Sequence, residues 1–260
     1  MKFLFWNTYK KQLNSVICDL IVENGVDIAV FAEYCANEGE LFQLLASRGV
    51  SMRKYDTIGC ERIMVIGKTE NVVMGRQTEY ESIQIINGQL ILCCVHLPSQ
   101  IYTENEERRN TAIQRIMHDI RSTEVEFSTK QTVVVGDLNI NPFDYACTGI
   151  RYFNAVPIFA EAKKNTRKSA DEEFDMFYNP MWNFFGDFQK PYGTCYSSKS
   201  SIYWNVFDQV LLRPALRKRF VDTSLQILAG TEHQKFLNRI GHLNKSISDH
   251  LPIVFELERM

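Results

Sequence analysis

The 260-residue sequence lacks the features that announce a membrane, secreted or polycationic protein. It has no unbroken apolar run near the ~18 residues that a spanning helix needs. Met1 to Trp6 is largely apolar, but Lys10 and Lys11 follow at once, so no signal-peptide core is expected. No C-x-x-C pair occurs. The seven cysteines (Cys18, Cys35, Cys60, Cys93, Cys94, Cys147 and Cys195) are odd in number and mostly sit inside apolar runs. They read as small hydrophobes of a reduced chain, not as a disulfide frame. A charge excess is missing too. The formal net charge of −2 exerts no global pull on nucleic acid, so a polyanion must be held by a local basic patch or by metal. Repeats and low-complexity linkers are absent. These absences lead to an expected cytoplasmic chain with no membrane segment, no evident obligate protein partner and a single domain over residues 1–260.

What is present is ordinary globular composition, 45% hydrophobic and 23% charged, which suits one large α/β domain. Lys2 to Trp6 reads as a strand. Leu13, Val16, Ile17, Leu20 and Ile21 fall at helical spacing, predicting a helix over about 11–24 that Gly25 ends. Asp27 to Glu33 is an apolar strand closing on an acid, so strand, helix and strand suggest a crossover unit. A helix over 38–48 and strands over 61–67 and 80–86 follow. Asn87-Gly88 is a hairpin turn leading into Leu90 to Leu97. Thr103-x-x-Glu106 forms a capping box ahead of a helix carrying Ala112, Ile113, Ile116, Met117 and Ile120. Thr132 to Val135 is a short buried strand. Residues 162–173 are polar and read as a loop, and 174–188 are rich in aromatics. Tyr203 to Leu212 and Ile253 to Leu257 read as late strands.

The chemistry-bearing residues share a position. Asn7, Glu33, His96, Asp137, Asn139, Asp208, Asp249 and His250 each sit at or just past a predicted strand end. Rigid strands present ligand groups there. Taken singly, each has an ordinary alternative. Asn7 can be a turn residue, Glu33 a solvated loop acid, and His96 a satisfied core histidine. Asp137 and Asn139 favour turns by bonding their own backbone. Asp249 and His250 can cap the last strand. Asp208 is harder to set aside, because a carboxylate inside the apolar run Trp204 to Val210 must be paired. Together they point to one shared site.

Asn7 in Phe-Trp-Asn-Thr, Glu33 in Phe-Ala-Glu-Tyr, His96 in Val-His-Leu-Pro-Ser, Gly136-Asp137-Leu138-Asn139, Asp208 in Phe-Asp-Gln-Val-Leu and Ser248-Asp249-His250 carry a resemblance. In order and spacing, from residue 3 to about 257, the chain resembles the endonuclease/exonuclease/phosphatase superfamily, which includes deoxyribonuclease I and exonuclease III. The resemblance implies a four-layer α/β sandwich, two packed mixed β-sheets flanked by helices, with the site at one edge. It also implies Mg2+ (or Mn2+). Glu33 would be the principal metal ligand, with Asn7 and Asp249 close by. Asp137 would orient or deprotonate water, and Asn139 would position the water or the phosphate. His250, held by Asp208, would contact the scissile phosphate, and His96 matches a second histidine of the deoxyribonuclease I-like members. The chemistry agrees with this. Phosphoryl transfer needs charge neutralised and a nucleophile in line, and hard oxygen ligands suit Mg2+.

The implied activity is Mg2+-dependent phosphodiester hydrolysis of a nucleic acid or nucleotide substrate. Alternatives are a phosphomonoesterase on a small substrate such as an inositol phosphate, and a catalytically dead nucleic-acid-binding module. Arg108 and Arg109 are candidate contacts to substrate phosphate, or else partners of Glu104 to Glu107. Tyr192 and Thr194 are candidates at the substrate's edge. Aromatics of 174–188 can stack on bases or fill the core. Arg213, Arg217, Lys218 and Arg219 can track a phosphate backbone or form a solvated face.

Overall fold

The structure, a computed structural model, describes residues 1–99 and 104–259. The first elements are β1 (Lys2–Asn7), α1 (Asn14–Asn24), β2 (Ile28–Ala32), α2 (Glu38–Ser47), β3 (Arg53–Tyr55), β4 (Ile63–Gly67) and β5 (Val72–Gln77). Next come β6 (Glu81–Ile86), β7 (Leu90–His96), α3 (Glu104–Glu126), β8 (Thr132–Asp137), α4 (Tyr145–Thr148), β9 (Ala155–Val156) and α5 (Phe159–Ala162). Then follow β10 (Thr166–Ser169), β11 (Glu172–Asp175), β12 (Phe177–Tyr178), β13 (Cys195–Tyr196), β14 (Trp204–Asn205), β15 (Asp208–Leu212), β16 (Gln226–Ile227) and β17 (Ile253–Glu256).

Alternation along β7 explains the layering. Leu92 and Cys94 join Val133 and Val135 of β8 in a core shared with the first sheet, where Phe3, Phe5, Val30 and Val65 lie. Their neighbours Ile91, Cys93 and Val95 join Ile113, Ile116, Met117 and Ile120 of α3 in a second core. A strand that is apolar on both faces needs a layer on each side. Two large sheets result, ordered β16-β17-β1-β2-β4-β3 and β5-β6-β7-β8-β15-β12-β9, flanked by helices. This is the expected four-layer architecture. The expected crossover is present too, since β1 and β2 pair in parallel across α1. Gly25 ends α1 in the left-handed conformation, φ 62°.

Gly136 is required by close approach. A Cβ there would lie 1.9 Å from the Val95 carbonyl oxygen. Without it, β8 could not pair with β7 in the register that sets Asp137 opposite His96.

Several expectations are corrected. Residues 162–173 were expected to be a loop, but 166–169 and 172–175 form the β10-β11 hairpin. Its strands pair with each other and carry one apolar residue, Phe174, so no apolar alternation marks them. The expected strand over Tyr203 to Leu212 is broken, because Tyr203 has φ 61° and β14 pairs with β13 while β15 pairs with β8. The strands β3 and β5 were not read from the sequence. In β5, Val73 and Met74 are 49% and 42% exposed, so its pattern is not that of a core strand. Thr103 of the capping box lies outside the described residues.

The aromatic segment divides. Phe174, Phe177, Tyr178 and Phe184 are core, while Phe188 is fully in solvent. Neither alternative for the basic run, a phosphate track or a solvated face, describes its three arginines. Arg213 is buried, donates to Glu124 at 2.7 Å and lies over the Phe177 ring. Arg217 pairs with Asp222, and Arg219 binds Gln131 and the Glu258 carbonyl. These groups are spent on the fold.

Candidate active site

Strand register assembles the site. In the seven-stranded sheet, β7, β8 and β15 are neighbours, and their pairing sets His96 opposite Asp137 and Asp137 opposite Asp208. Three residues far apart in sequence thus form one row across the sheet's end. In the six-stranded sheet, β1 and β2 end together at Asn7 and Ala32, which brings Glu33 to the same edge. The loop before β17 closes the ring. Ser248 donates to the Asn7 carbonyl at 2.8 Å, Trp6 Nε1 donates to the His250 carbonyl at 3.0 Å, and His250 pairs with Cys195.

The side chains then meet. Asn7 Nδ2 donates to Asp137 Oδ2 at 3.0 Å, bridging the two sheets. Asp137 Oδ1 accepts from the Asn139 amide at 2.9 Å, and Asn139 Nδ2 donates to the Leu97 carbonyl at 2.9 Å. His250 Nδ1 lies 2.8 Å from Asp208 Oδ2. Its Nε2 faces Asp137 Oδ2 at 3.8 Å and Asp249 Oδ1 at 4.0 Å. His96 Nε2 faces Glu33 at 3.7 Å and Asp137 at 3.9 Å. All eight expected site residues therefore belong to one connected neighbourhood.

The two histidines are held in different charge states. Burial alone would lower the His250 pKa, but the charges of Asp208, Cys195 and Asp137 and the Asp208 hydrogen bond hold it well above 6.5. Burial lowers the His96 pKa and prevails over the pull of Asp137 and Glu33. Burial raises the Asp208 pKa, against the pull of the His250 charge and hydrogen bond. Asp249 is also raised, first by burial, with the His250 charge acting against it and the Glu33 and Asp137 charges adding to the rise. An imidazolium beside a neutral imidazole supplies a fixed donor and a group able to accept a proton.

Two positive-φ residues mark the rim, Glu33 at 54° and Asn139 at 51°. Asparagine adopts this conformation readily. Glutamate does not, and such an outlier stores strain on the order of 1–3 kcal/mol.

Which residues could hold a cation follows from the donor set. Asp137, Asp208 and His250 place one ligand atom each within 4.8 Å of one another. That trio is better explained as a hydrogen-bonded His250–Asp208 pair with Asp137 alongside, because Nδ1 of His250 is already committed to Asp208. Glu33, Asp249 and Asn7 supply oxygens instead. Asp249 Oδ1 is buried with no hydrogen-bond partner among the described residues. Clustered carboxylates with an orphaned buried oxygen fit a hard divalent cation.

The remaining predicted contacts are placed elsewhere. Arg108 is exposed and pairs with Glu79 at 3.1 Å. Arg109 is buried beside a separate cavity. Tyr192 packs edge-on against Trp204. Thr194, expected at the substrate's edge, has no exposed surface. Its hydroxyl accepts the Phe207 and Asp208 amides at 3.1 and 3.2 Å, so it supports Asp208 instead. Sequence reasoning missed the separate role of Ser248, which accepts the His250 amide while binding β1. It also missed Arg62, which pairs with Glu79, lies over Tyr80 and acts electrostatically on His96. No local pattern distinguished Arg62 from other surface arginines.

No family model matches the chain, and no curated protein does. Solved structures match over the full length. An AP endonuclease from Archaeoglobus fulgidus superposes with a TM-score of 0.62 at 15% identity, covering 100% of each chain. The 3'-5' exonuclease NExo from Neisseria meningitidis gives 0.60 at 14%, covering 100% of each. D. rerio TDP2 complexed with a single-strand DNA product gives 0.57 at 15%, covering 100% of this chain and 99% of that one. These neighbours belong to the endonuclease/exonuclease/phosphatase superfamily, and the chain has their deoxyribonuclease I-like fold.

Proposed function

We propose that this chain is a divalent-metal-dependent phosphodiester hydrolase acting on nucleic acid or a nucleotide, with residues 1–260 working as one catalytic domain. The observation that carries the reading is the His250–Asp208 pair at 2.8 Å, buried beside Asp137. Asp208 fixes the ring and keeps it charged, so Nδ1–H is spent and Nε2–H is left as a donor. A nonbridging phosphate oxygen is the natural acceptor. Asp137 lies 3.8 Å from that Nε2 and is anchored by Asn7 and the Asn139 amide. It is placed to orient an attacking water and to take its proton. Asn139 turns its side chain back to Leu97, which fixes the loop carrying both groups.

Glu33, Asn7 and Asp249 would hold a Mg2+ or Mn2+ ion, which when bound neutralises phosphate charge and lowers the pKa of bound water. His96, held neutral, stands at the rim with Nε2 3.7 Å from Glu33 and 3.9 Å from Asp137. The names of the structural neighbours, an endonuclease and an exonuclease, and the DNA product bound to a third support nucleic acid over a small phosphomonoester.

The test is a substrate panel. With Mg2+ the protein should nick plasmid or degrade labelled oligonucleotides, and EDTA should stop it. Release of inorganic phosphate from phosphomonoesters with nucleic acid left intact would replace this reading with the phosphatase one. No turnover on either class, in either metal, would end the hydrolase reading.

A further inference from the structure

The connection from β16 to β17, residues 228–252, contains no helix or strand. Connections longer than ~15 residues without such elements are uncommon in compact domains, and are mostly functional or disordered. This one is packed. Phe236 is buried and stacks on Trp6 with ring centroids 5.3 Å apart, and Leu243 and Ile247 are buried as well. Leu237 and Leu243 form a bridge, and the Asn238 amide donates to the His242 carbonyl at 2.7 Å. Asn238 Oδ1 accepts the Ile240 and His242 amides, each at 3.0 Å. The result is a closed turn with Arg239, Ile240 and Gly241 at its tip.

Both stems of the turn are fastened beside the proposed site. Trp6, against Phe236, directly precedes Asn7 and donates to the His250 carbonyl. The His242 ring stacks on Tyr196 at 3.9 Å, and the neighbouring Cys195 pairs with His250. The same stretch of chain then runs into Ser248, Asp249 and His250.

The cations of this turn are unpaired. Lys235, Arg239 and Lys245 are exposed and, among the described residues, their side chains make no hydrogen bond, ion pair or ring contact. Elsewhere on the surface Arg48, Arg62, Arg108, Arg151 and Arg217 each face an acid. Over residues 231–247 these three cations stand against one acid, Glu232, in a chain of formal net charge −2. A polyanion needs such a local excess on a weakly acidic protein. Arg239 stands on one side of the Leu237–Leu243 bridge, with Lys235 and Lys245 on the other. That spread suits successive phosphates of a strand better than one phosphate. Ile240 at the tip is 75% exposed, which adds an apolar contact for a sugar or base.

We propose that this turn, through Arg239, Lys245 and Ile240, grips the substrate strand beyond the scissile bond and so selects a polynucleotide over a free nucleotide. The inference rests on the nuclease reading for the identity of the strand.

Binding in EDTA separates the grip from catalysis. A labelled thymidine oligonucleotide is titrated with the intact protein by fluorescence anisotropy over a range of salt. Arg239→Gln combined with Lys245→Gln should weaken binding about tenfold or more at low salt. It should also lower the slope of log K against log salt by about 1.4, the value for two phosphate contacts on a single strand. Ile240→Ser should weaken binding about threefold with the slope unchanged. Arg151→Gln combined with Lys168→Gln removes the same charge beside the β10-β11 hairpin and should change affinity less than about twofold. An unchanged slope in the first variant, or an equal loss in the hairpin variant, would overturn the grip. So would loss of binding to phosphatidylserine vesicles with oligonucleotide binding intact, which would assign the turn to a lipid surface. A second arm follows cutting in Mg2+ of strands from a dinucleotide to about sixteen residues. kcat/KM should rise with length and then level off, and the Arg239, Lys245 variant should flatten the rise. Equal cutting at all lengths overturns the grip and leaves the nuclease reading intact. Salt-dependent binding through the turn without any cutting keeps the grip and removes the nuclease.

Discussion

Asp208 and Glu81 are acids buried to the same depth in the same sheet, both without exposed surface, and the protein handles them in opposite ways. Asp208, on β15, faces His250 at 2.8 Å. The pair shares one charge of each sign and lies against Asp137. Glu81, on β6, faces Cys93 at 3.9 Å and has Oε1 unpartnered among the described residues. Burial, then the hydrogen bond and charge of Asp119, push it up to about 8. At neutral pH Glu81 keeps its proton, whereas Asp208 gives its charge to an imidazolium. A buried acid is therefore no mark of a site by itself. The cationic partner and the neighbouring acid convert burial into chemistry.

The strongest way to break this comparison is to remove the partner. His250→Ala and Asp137→Asn are each expected to lower turnover by about a thousandfold or more, as losses of a charged phosphate donor and of the water-orienting base. Glu81→Gln should leave turnover within about twofold, because the Glu81 side chain meets Cys93 and Asp119, which are not in the row. Single-turnover assays on matched, folded proteins decide this. Near-normal rates in either of the first two, or a large loss in Glu81→Gln, would reverse the assignment.

The next effect is on stability. Glu81 has a folded pKa of about 8 against an ordinary value of 4.5. Its contribution is present below pH 4.5, where both states bind the proton. It is lost as pH rises through 8, because the unfolded chain releases the proton first. Unfolding free energies from urea titrations should therefore fall between pH 5 and 9 by a few kcal/mol in all. Glu81→Gln should flatten that fall. An identical slope in the variant would show that another group is responsible.

A smaller effect sharpens the rim itself. Glu33 sits at φ 54°, where glycine has no steric penalty. Glu33→Gly should raise stability by about 1 kcal/mol while sharply increasing the Mg2+ needed for any residual turnover. Thermal melts and a Mg2+ titration read the two halves separately. Lower stability would mean that the Glu33 side chain supports the fold, and an unchanged Mg2+ response would remove it as a ligand.

Much of the fold was legible because its main strands are apolar and bounded by acids, glycines or turn residues. Asn87-Gly88 marked its hairpin, Gly25 its helix end, and the acid inside Trp204 to Val210 announced a buried partner. The β10-β11 hairpin was illegible because Phe174 is the one apolar residue of its strands, too little to show an alternation. The role of Thr194 was illegible because a threonine near a strand reads alike whether it meets substrate or a backbone amide. Arg213 and Arg109 show the same limit. Both stand in basic local sequence, yet one is cancelled by Glu124, 89 residues away, and the other is buried with Nε and Nη1 lacking a hydrogen-bond partner among the described residues.

The sequence by itself determined which residue types stand at the strand ends, and through apolar alternation which strands must be covered on both faces. Local composition is enough for that, since burial and backbone propensity act over a few residues. Tertiary structure alone decided that His96, Asp137 and Asp208 share one row, that His250 rather than His96 is charged, and that Arg109 is buried. Register, desolvation and charge proximity depend on which strands pair, and strand pairing joins residues more than a hundred positions apart, such as Phe3 and Phe255.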